Sequence, residues 1–310
     1  MIAVKKKLTA RKLKKTLFIV AVLAYPMLLF AVFYIGINLN AIFLAFETIN
    51  FDQSVSFAGF KNFQSVFQAW KNDELLKLSF FNSLKIYALT FVIGMPLTFL
   101  FSYYIFRKFF ATKTIRVVIM LPAMISGLVM CLMFLTFAQD ALPIVLTKLF
   151  RVASPPNLLK DERYVFGMIT FYSIWQGFGM GLIMYCNAMN AIEDSVLESA
   201  RLDGCNSLQE LWHIILPLIY PTVTVFVVTG ISGIFGGMGP LYLFYELYAP
   251  PRAYLMGYYV YVKTMTVGDR GYPFISALGL LLTFLMVPVT LGVKYFMEKL
   301  DPIQDKGVIR

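Results

Sequence analysis

Acidic side chains, histidine and cysteine are all scarce in this chain: its 310 residues include 17 Asp and Glu, one His and three Cys. Charged residues of either sign reach only 14%, against roughly 25% in soluble domains. With 59% apolar residues and a mean hydropathy of +0.72, a water-soluble fold would lack the polar surface to cover itself. Cys131, Cys186 and Cys205 lie in or beside apolar stretches without paired spacing, which excludes a disulfide framework or a zinc site and leaves them as packing residues. The lone His213, beside Trp212, reads as a loop residue rather than a metal ligand. No GxxxxGK[ST] loop is present, so a nucleotide has no cradle of that kind here. A catalytic triad and a carboxylate pair are missing too, which argues against an enzyme. The net charge of +10 does not imply nucleic acid, because the basic residues sit beside apolar runs, where the positive-inside rule accounts for them.

Long apolar runs are abundant. Crossing about 30 Å of hydrocarbon takes roughly 20 apolar residues at 1.5 Å each. Six uncharged runs qualify: 16–46, 86–106, 117–139, 164–192, 214–245 and 271–293. The expected fold is all-α, a polytopic membrane protein of about six transmembrane helices. The first run follows Lys5, Lys6, Lys7, Arg11, Lys12, Lys14 and Lys15 and exceeds the core of a cleavable signal peptide, so it reads as a retained helix. This organisation predicts a basic cytoplasmic amino terminus over 1–15 and a membrane domain over 16–310. Counting crossings places Arg107, Lys108, Lys113 and Arg116 inside, residues 193–213 inside, 246–270 outside, and the tail with Lys294, Lys299, Lys306 and Arg310 inside. Both termini are then cytoplasmic.

One inner link breaks the charge rule. Segment 193–213 carries Glu193, Asp194, Glu198, Asp203 and Glu210 against the single cation Arg201. Burying six charges at mid-bilayer would cost on the order of 15 kcal/mol or more, so the segment is exposed or held by a partner. Val196, Leu197, Ala200, Leu208, Leu211, Trp212 and Ile215 recur mostly at intervals of three and four, giving two short amphipathic helices with Asp203-Gly204 as the turn between them and Pro217 as the close. A helix lying on the inner leaflet would bear Lys and Arg on its polar face. This one is acidic, which favours a groove on a protein partner.

ESARLDGCNSLQELWHIILP also fits the pattern EAA, three residues, G, nine residues, I, any residue, LP, with Ser199 in place of the first alanine. On this motif the chain resembles the ABC importer permeases. The resemblance implies that the loop 193–216 is a coupling helix docked into an ATPase subunit. Its contact positions would be Glu198, Ser199, Ala200, Asp203, Gly204, Ile214, Leu216 and Pro217. GFKNFQSVF at 59–67, Asn82-Ser83-Leu84, GGMGPLYLF at 236–244 (Met238 replacing a glycine) and GYPFISALGLLLTF at 271–284 are similar to segments of the maltose and glycerol-phosphate group. That similarity implies a type I importer permease fold and a sugar or oligosaccharide as cargo. It further implies a second permease subunit, separate ATPase subunits that use ATP and Mg, an extracytoplasmic solute-binding protein, and no cofactor on this chain itself.

A sugar path needs hydrogen-bonding groups and aromatic faces within the bundle. The fourth run supplies Tyr172, Ser173, Trp175, Gln176, Tyr185, Asn187 and Asn190, with Gly177, Gly179 and Gly181 to let helices approach. Asn and Gln equally serve to hold helices together, and Trp175 equally serves as an interfacial anchor. In the fifth run Pro217, Pro221, Gly230, Gly233, Gly236, Gly237, Gly239 and Pro240 suit either a hinged helix or plain helix ends. Residues 47–81 are amphipathic enough to lie along the outer surface, and 140–163 and 246–270 either face a binding protein or connect spans. Two alternatives stand beside the sugar importer: an ABC permease for another solute, and an ion-coupled transporter, which the scarcity of charge within the spans disfavours.

Overall fold

The computed structural model describes residues 2–302, with side chains from residue 14 onward. The side chains of Lys5, Lys6, Lys7, Arg11 and Lys12, and all of Lys306 and Arg310, thus lie outside the described residues. Helix α1 covers 2–45, and strands β1 (Glu47–Ile49) and β2 (Val55–Phe57) pair antiparallel with Thr48 opposite Ser56. After them come α2 (Lys61–Asn72), α3 (Glu74–Phe106), α4 (Thr112–Met124), α5 (Gly127–Phe150) and α6 (Val165–Asn190). The remainder is α7 (Asp194–Leu202), α8 (Ser207–Leu218), α9 (Tyr220–Ser232), α10 (Leu241–Tyr245), α11 (Met256–Thr266) and α12 (Tyr272–Lys299).

Among the described residues four helices are long and apolar enough to cross a membrane, namely Lys14–Ala45, α3, α5 and Asp269–Lys299; α8 and α9 make a fifth if taken as one bent span. The fourth expected crossing, α6, has 26 residues and so a length of about 39 Å, yet the Tyr, Ser, Gln and Asn it carries dilute its apolar character. The second span starts twelve residues before the expected run, because Asp73 caps the helix by accepting the Leu76 N–H at 3.0 Å and the helix carries Lys77 and Lys85 past the hydrocarbon. The third expected run, 117–139, is corrected more heavily. It breaks after Met124, where Ile125 and Ser126 turn extended, and the long helix then runs from Gly127 through Asp140 to Phe150. An uncharged run carries no mark of a break inside it. The β-hairpin is a further small departure from an all-α fold.

The described chain forms two compact units. In the unit of residues up to 68 with 267–281, Asn62 Nδ2 donates to the carbonyls of Ala45 (2.9 Å) and Glu47 (2.8 Å), clamping the end of α1 against α2. The Phe46 ring packs on Phe60 and Phe63, and the Arg270 guanidinium lies 4.0 Å over the Phe51 ring. Along 14–44 no side chain is buried, so lipid or another protein must cover this apolar helix.

In the unit of 69–266 with 282 onward, α6 is the central element, packed on α3 and α4. A Cβ at Gly181 would sit 2.8 Å from the Thr98 methyl, and one at Gly179 would run into Ala123. These two glycines set the helix spacing. Phe99, Tyr185, Met189, Leu197, Leu211 and Ile215 form the main core, joining α3 and α6 to α7 and α8. At the Glu74 end of α3, Asn82 Nδ2 donates to the carbonyls of Arg252 (3.0 Å) and Tyr254 (3.2 Å), and Ser83 Oγ accepts the Met256 N–H at 2.8 Å. Tyr259 OH donates to Asp73 Oδ2 at 2.8 Å, while burial, reinforced by that carboxylate, holds the phenol's pKa above its ordinary value.

Candidate functional site

The acidic segment folds as two capped helices. On α7, Leu197 and Ala200 are buried while Glu198 and Ser199 face outward, the amphipathic split expected of the sequence. Ser199 resolves its hydroxyl by donating to the Ser195 carbonyl at 2.8 Å. The helix ends in a Schellman turn: Gly204 sits at φ +78°, its N–H donates to Arg201 O at 3.1 Å, and the Cys205 N–H donates to Ala200 O at 3.0 Å. Two residues on, Asn206 and Gln209 exchange hydrogen bonds of 2.9 Å as a capping box that opens α8.

Three large apolar side chains flank this turn in the open: Leu202 at 88% exposure, Leu208 at 67% and Trp212 at 56%. Beside them lies a depression of about 460 Å³ lined by Ala200, Asp203, Gly204, Gln209, His213 and Ile214. His213 is not a loop residue: it lies in the helical stretch Leu211–Ile215, exposed, with a ring nitrogen 3.2 Å from the Gln209 carbonyl one turn earlier. Of the predicted contact positions, the depression brings together Ala200, Asp203, Gly204 and Ile214. Glu198 and Ser199 lie outside it on the exposed face, and Leu216 and Pro217 lie half-buried further along α8.

Two further expectations for this segment are corrected. Pro217 does not close α8: the helix passes through a π-helical stretch at Leu211–Ile215, continues to Leu218, and bends by 69° at Ile219 before α9. Pro217 stands at the start of the short Leu216–Leu218 turn, a position that tolerates a missing N–H. Nor is Glu210 part of an exposed acidic face. It is buried, paired with Arg107 from the end of α3 at 3.1 Å. The glycines beyond α9 act as helix ends, with Gly233 at the cap after Ser232, so the fifth run contains both a bend and plain ends.

A second cavity, of about 470 Å³, lies between α3, α6 and α9. Tyr185 lines it, and its hydroxyl is buried without a partner, while its ring packs on Phe226 at 4.8 Å. Thr90, Thr98, Ser173 and Thr229 add hydroxyls to the wall. Of the other pathway residues named from the sequence, Ser173 alone joins Tyr185 there. Tyr172 and Trp175 belong to an aromatic cluster around Phe134 and Phe244, Gln176 does not line the cavity, and Asn187 is exposed. Asn190 lines a different cavity near the end of α6. Sequence reading missed the α3 wall, although Ser83, Tyr87, Thr90, Gly94 and Thr98 recur at steps of four, three, four and four along an apolar helix, which is one face of it. A π-helical stretch at Thr90–Gly94 falls in the middle of that wall.

Comparison with known proteins gives a consistent result. The family described as binding-protein-dependent transport system inner membrane component matches residues 91–305. The arabinooligosaccharides transport system permease protein AraP of Bacillus subtilis (strain 168) is 24% identical over 268 residues, covering 84% of this chain and 82% of AraP. Protein LplB of the same organism is 26% identical over 197 residues, covering 63% of this chain and 61% of LplB, so the match spans less than two thirds of that relative. A chain of the bacterial alginate ABC transporter, solved in complex with alginate pentasaccharide-bound periplasmic protein, superposes with a TM-score of 0.74 at 21% identity, covering 94% of this chain and 96% of that one. At that identity the likeness speaks for the fold.

Proposed function

We propose, from the premise that the chain belongs to the family of binding-protein-dependent transport system inner membrane components, that it is the permease subunit of an ATP-driven importer of a sugar or oligosaccharide. The observation that carries the coupling role is the doubly capped turn around Gly204, with Leu202, Leu208 and Trp212 held out in water. Apolar side chains on a rigid tip are suited to a groove on a separate protein. That partner is an ATPase subunit, which binds ATP and Mg; this chain is a transport subunit, not an enzyme. A second permease subunit completes the pore, covering part of the apolar surface this chain leaves open. An extracytoplasmic solute-binding protein delivers the cargo at the opposite end, as the periplasmic protein in the alginate complex suggests by analogy. Both termini and the loop 193–216 then face the cytoplasm.

Two mechanical routes run from the tip to the cavity. Through α8 and the bend at Ile219, movement of the turn reaches α9, whose Thr229 and Gly230 line the cavity. Through Glu210 and Arg107 it reaches α3, whose Thr90 and Thr98 line the opposite wall. A push at one end can thus rock two walls of one cavity. At about 470 Å³ the cavity falls within the roughly 300–1,000 Å³ range of small-molecule sites. Its hydroxyls and aromatic rings suit a neutral polyol with apolar C–H faces better than an ion, since no charged side chain lines it. AraP, named for arabinooligosaccharide transport, supports the sugar class over other solutes.

The test is co-purification of this chain with a candidate ATPase and partner permease, followed by uptake into proteoliposomes with a sugar-loaded binding protein. Uptake that requires ATP and fails with an amino-acid or phosphate binding protein is the expected result. Transport in the absence of any ATPase would overturn the proposal.

A further inference from the structure

At the Phe106 end of α3 a cavity of about 540 Å³ opens between the last turn of α3, the link to α4, the first turns of α4 and the end of α6. Lys108, Lys113 and Arg116 line it, and no acidic residue does. None of the three takes part in an ion pair among the described residues, while Arg107 next to them is already engaged by Glu210. The chain holds no Asp or Glu between Glu74 and Asp140, so no neighbour in the α3–α4–α5 sequence neutralises them. The remaining wall is apolar, from Ile105, Phe106 and Phe109, and Phe110 beside it is exposed.

Topology alone asks for cations near a helix end, but it does not ask for them to line a cavity with apolar walls. Three unpaired cations attract a phosphate; Arg offers it a bidentate fork and Lys a point charge. Apolar walls at the end of membrane-crossing helices suit an acyl chain rather than a hydrated soluble anion. We infer that this cavity binds the phosphate of an anionic phospholipid headgroup, with part of the chain lying along Phe106 and Phe109. The inference goes beyond the transport proposal and rests on it only for assigning the cavity to the cytoplasmic leaflet. A lipid seated here lies one residue from Arg107, and so steadies the joint between α3 and the segment that carries Glu210.

Direct lipid binding tests this independently of transport. The assembled complex is purified and challenged in mixed phosphatidylglycerol and phosphatidylcholine, with bound lipid counted by native mass spectrometry. A relocation variant, K113Q with F110K and R116Q with T114K, removes cations from the cavity while keeping the link's charge and hence its insertion signal. Wild type should retain phosphatidylglycerol preferentially, with the preference falling about thirtyfold in the relocation variant. R116Q alone, the milder change should the first not assemble, should lower it about fivefold. Wild-type preference in either purified variant overturns the site. Displacement of the lipid by excess inorganic phosphate or glycerol phosphate would assign the cavity to a soluble phosphate and overturn the lipid.

Discussion

Arg107 Nη1 donates to Glu210 Oε2 at 3.1 Å, with the glutamate side chain 1% exposed and the arginine 20%. Tyr103 OH completes the joint by donating to the Ser207 carbonyl at 2.9 Å. Four residues, two at the end of α3 and two on α8, are thereby locked together across up to 104 positions of sequence. Removing one partner of a buried pair typically costs about 3–5 kcal/mol, because the other charge is left without compensation. We expect Arg107→Ala to lower the melting temperature of the purified complex and to reduce uptake. Arg107→Ala with Glu210→Ala should recover most of the stability but not the uptake, since the link between α3 and α8 is still cut. A double variant that transports like wild type would show the pair to be structural only.

Gly204 makes a separate prediction. It sits at φ +78° with nothing within 4 Å of where a Cβ would be, so space does not demand glycine; the backbone does. A residue other than glycine in this region costs of order 1–3 kcal/mol, least for asparagine. Gly204→Asn should keep measurable ATP-dependent uptake. Gly204→Val should abolish uptake and stimulated ATP hydrolysis while leaving the membrane bundle's melting temperature within a few degrees. Equal loss in both variants would point to crowding at the partner interface in place of backbone strain.

Gly257 differs in kind, because its neighbours are backbone. A Cβ there would lie 2.7 Å from the Gly237 carbonyl oxygen and 2.8 Å from that of Gly236. Backbone cannot swing aside as a side chain can, so Gly257→Ala should destabilise by about 1–3 kcal/mol. Reduced yield and a lowered melting temperature, measured in detergent, check it. The close approach explains the glycine at 257, where α11 begins directly against the backbone of the GGMGP stretch, and not the glycines of that stretch, whose own Cβ positions meet nothing closer than 3.7 Å at Gly236 and Gly237.

The acidic segment was largely legible in the sequence, because its information is local. Spacing of three and four gave α7, Asp203-Gly204 gave the turn, and the exposed tip followed from charge that lipid cannot hold. Pairing of Glu210 with Arg107 was not legible, since the two lie far apart in sequence and each looked like an ordinary loop charge. The candidate pathway was legible only in part, for a related reason: of the polar residues that stand out on α6, Ser173 and Tyr185 line the cavity. Polar residues of α6 stand out by type, yet Tyr172 and Trp175 turn into a separate aromatic cluster, and only contact between helices decides which face lines a cavity. Hydroxyls on α3 are modest individually and become a signal only when their helical period is followed. Span boundaries shifted for the simplest reason: Lys77, Lys85 and Lys148 ride on helices that outlast the hydrocarbon, so absence of charge marks the bilayer and not the helix.

Tyr185 yields a prediction in which stability and function move apart. Its ring is held by Phe99 and Phe226, and its hydroxyl is buried at the cavity wall with no partner. An unsatisfied buried hydroxyl costs about 1–3 kcal/mol, a cost the fold would shed if the oxygen had no other use. Tyr185→Phe should therefore leave the complex as stable as wild type, or raise its melting temperature. If the hydroxyl takes a hydrogen bond from the passing sugar, or gives one, the same change should slow uptake roughly tenfold, as expected of a lost contact worth about 1–2 kcal/mol. Thr98→Val should do less, because the Thr98 hydroxyl already donates to the Gly94 carbonyl at 2.8 Å. Melting curves and proteoliposome uptake on the two variants check this order. Unchanged uptake in Tyr185→Phe would remove the Tyr185 hydroxyl as a sugar contact, leaving Ser173 on α6 and the walls on α3 and α9 as the place to look.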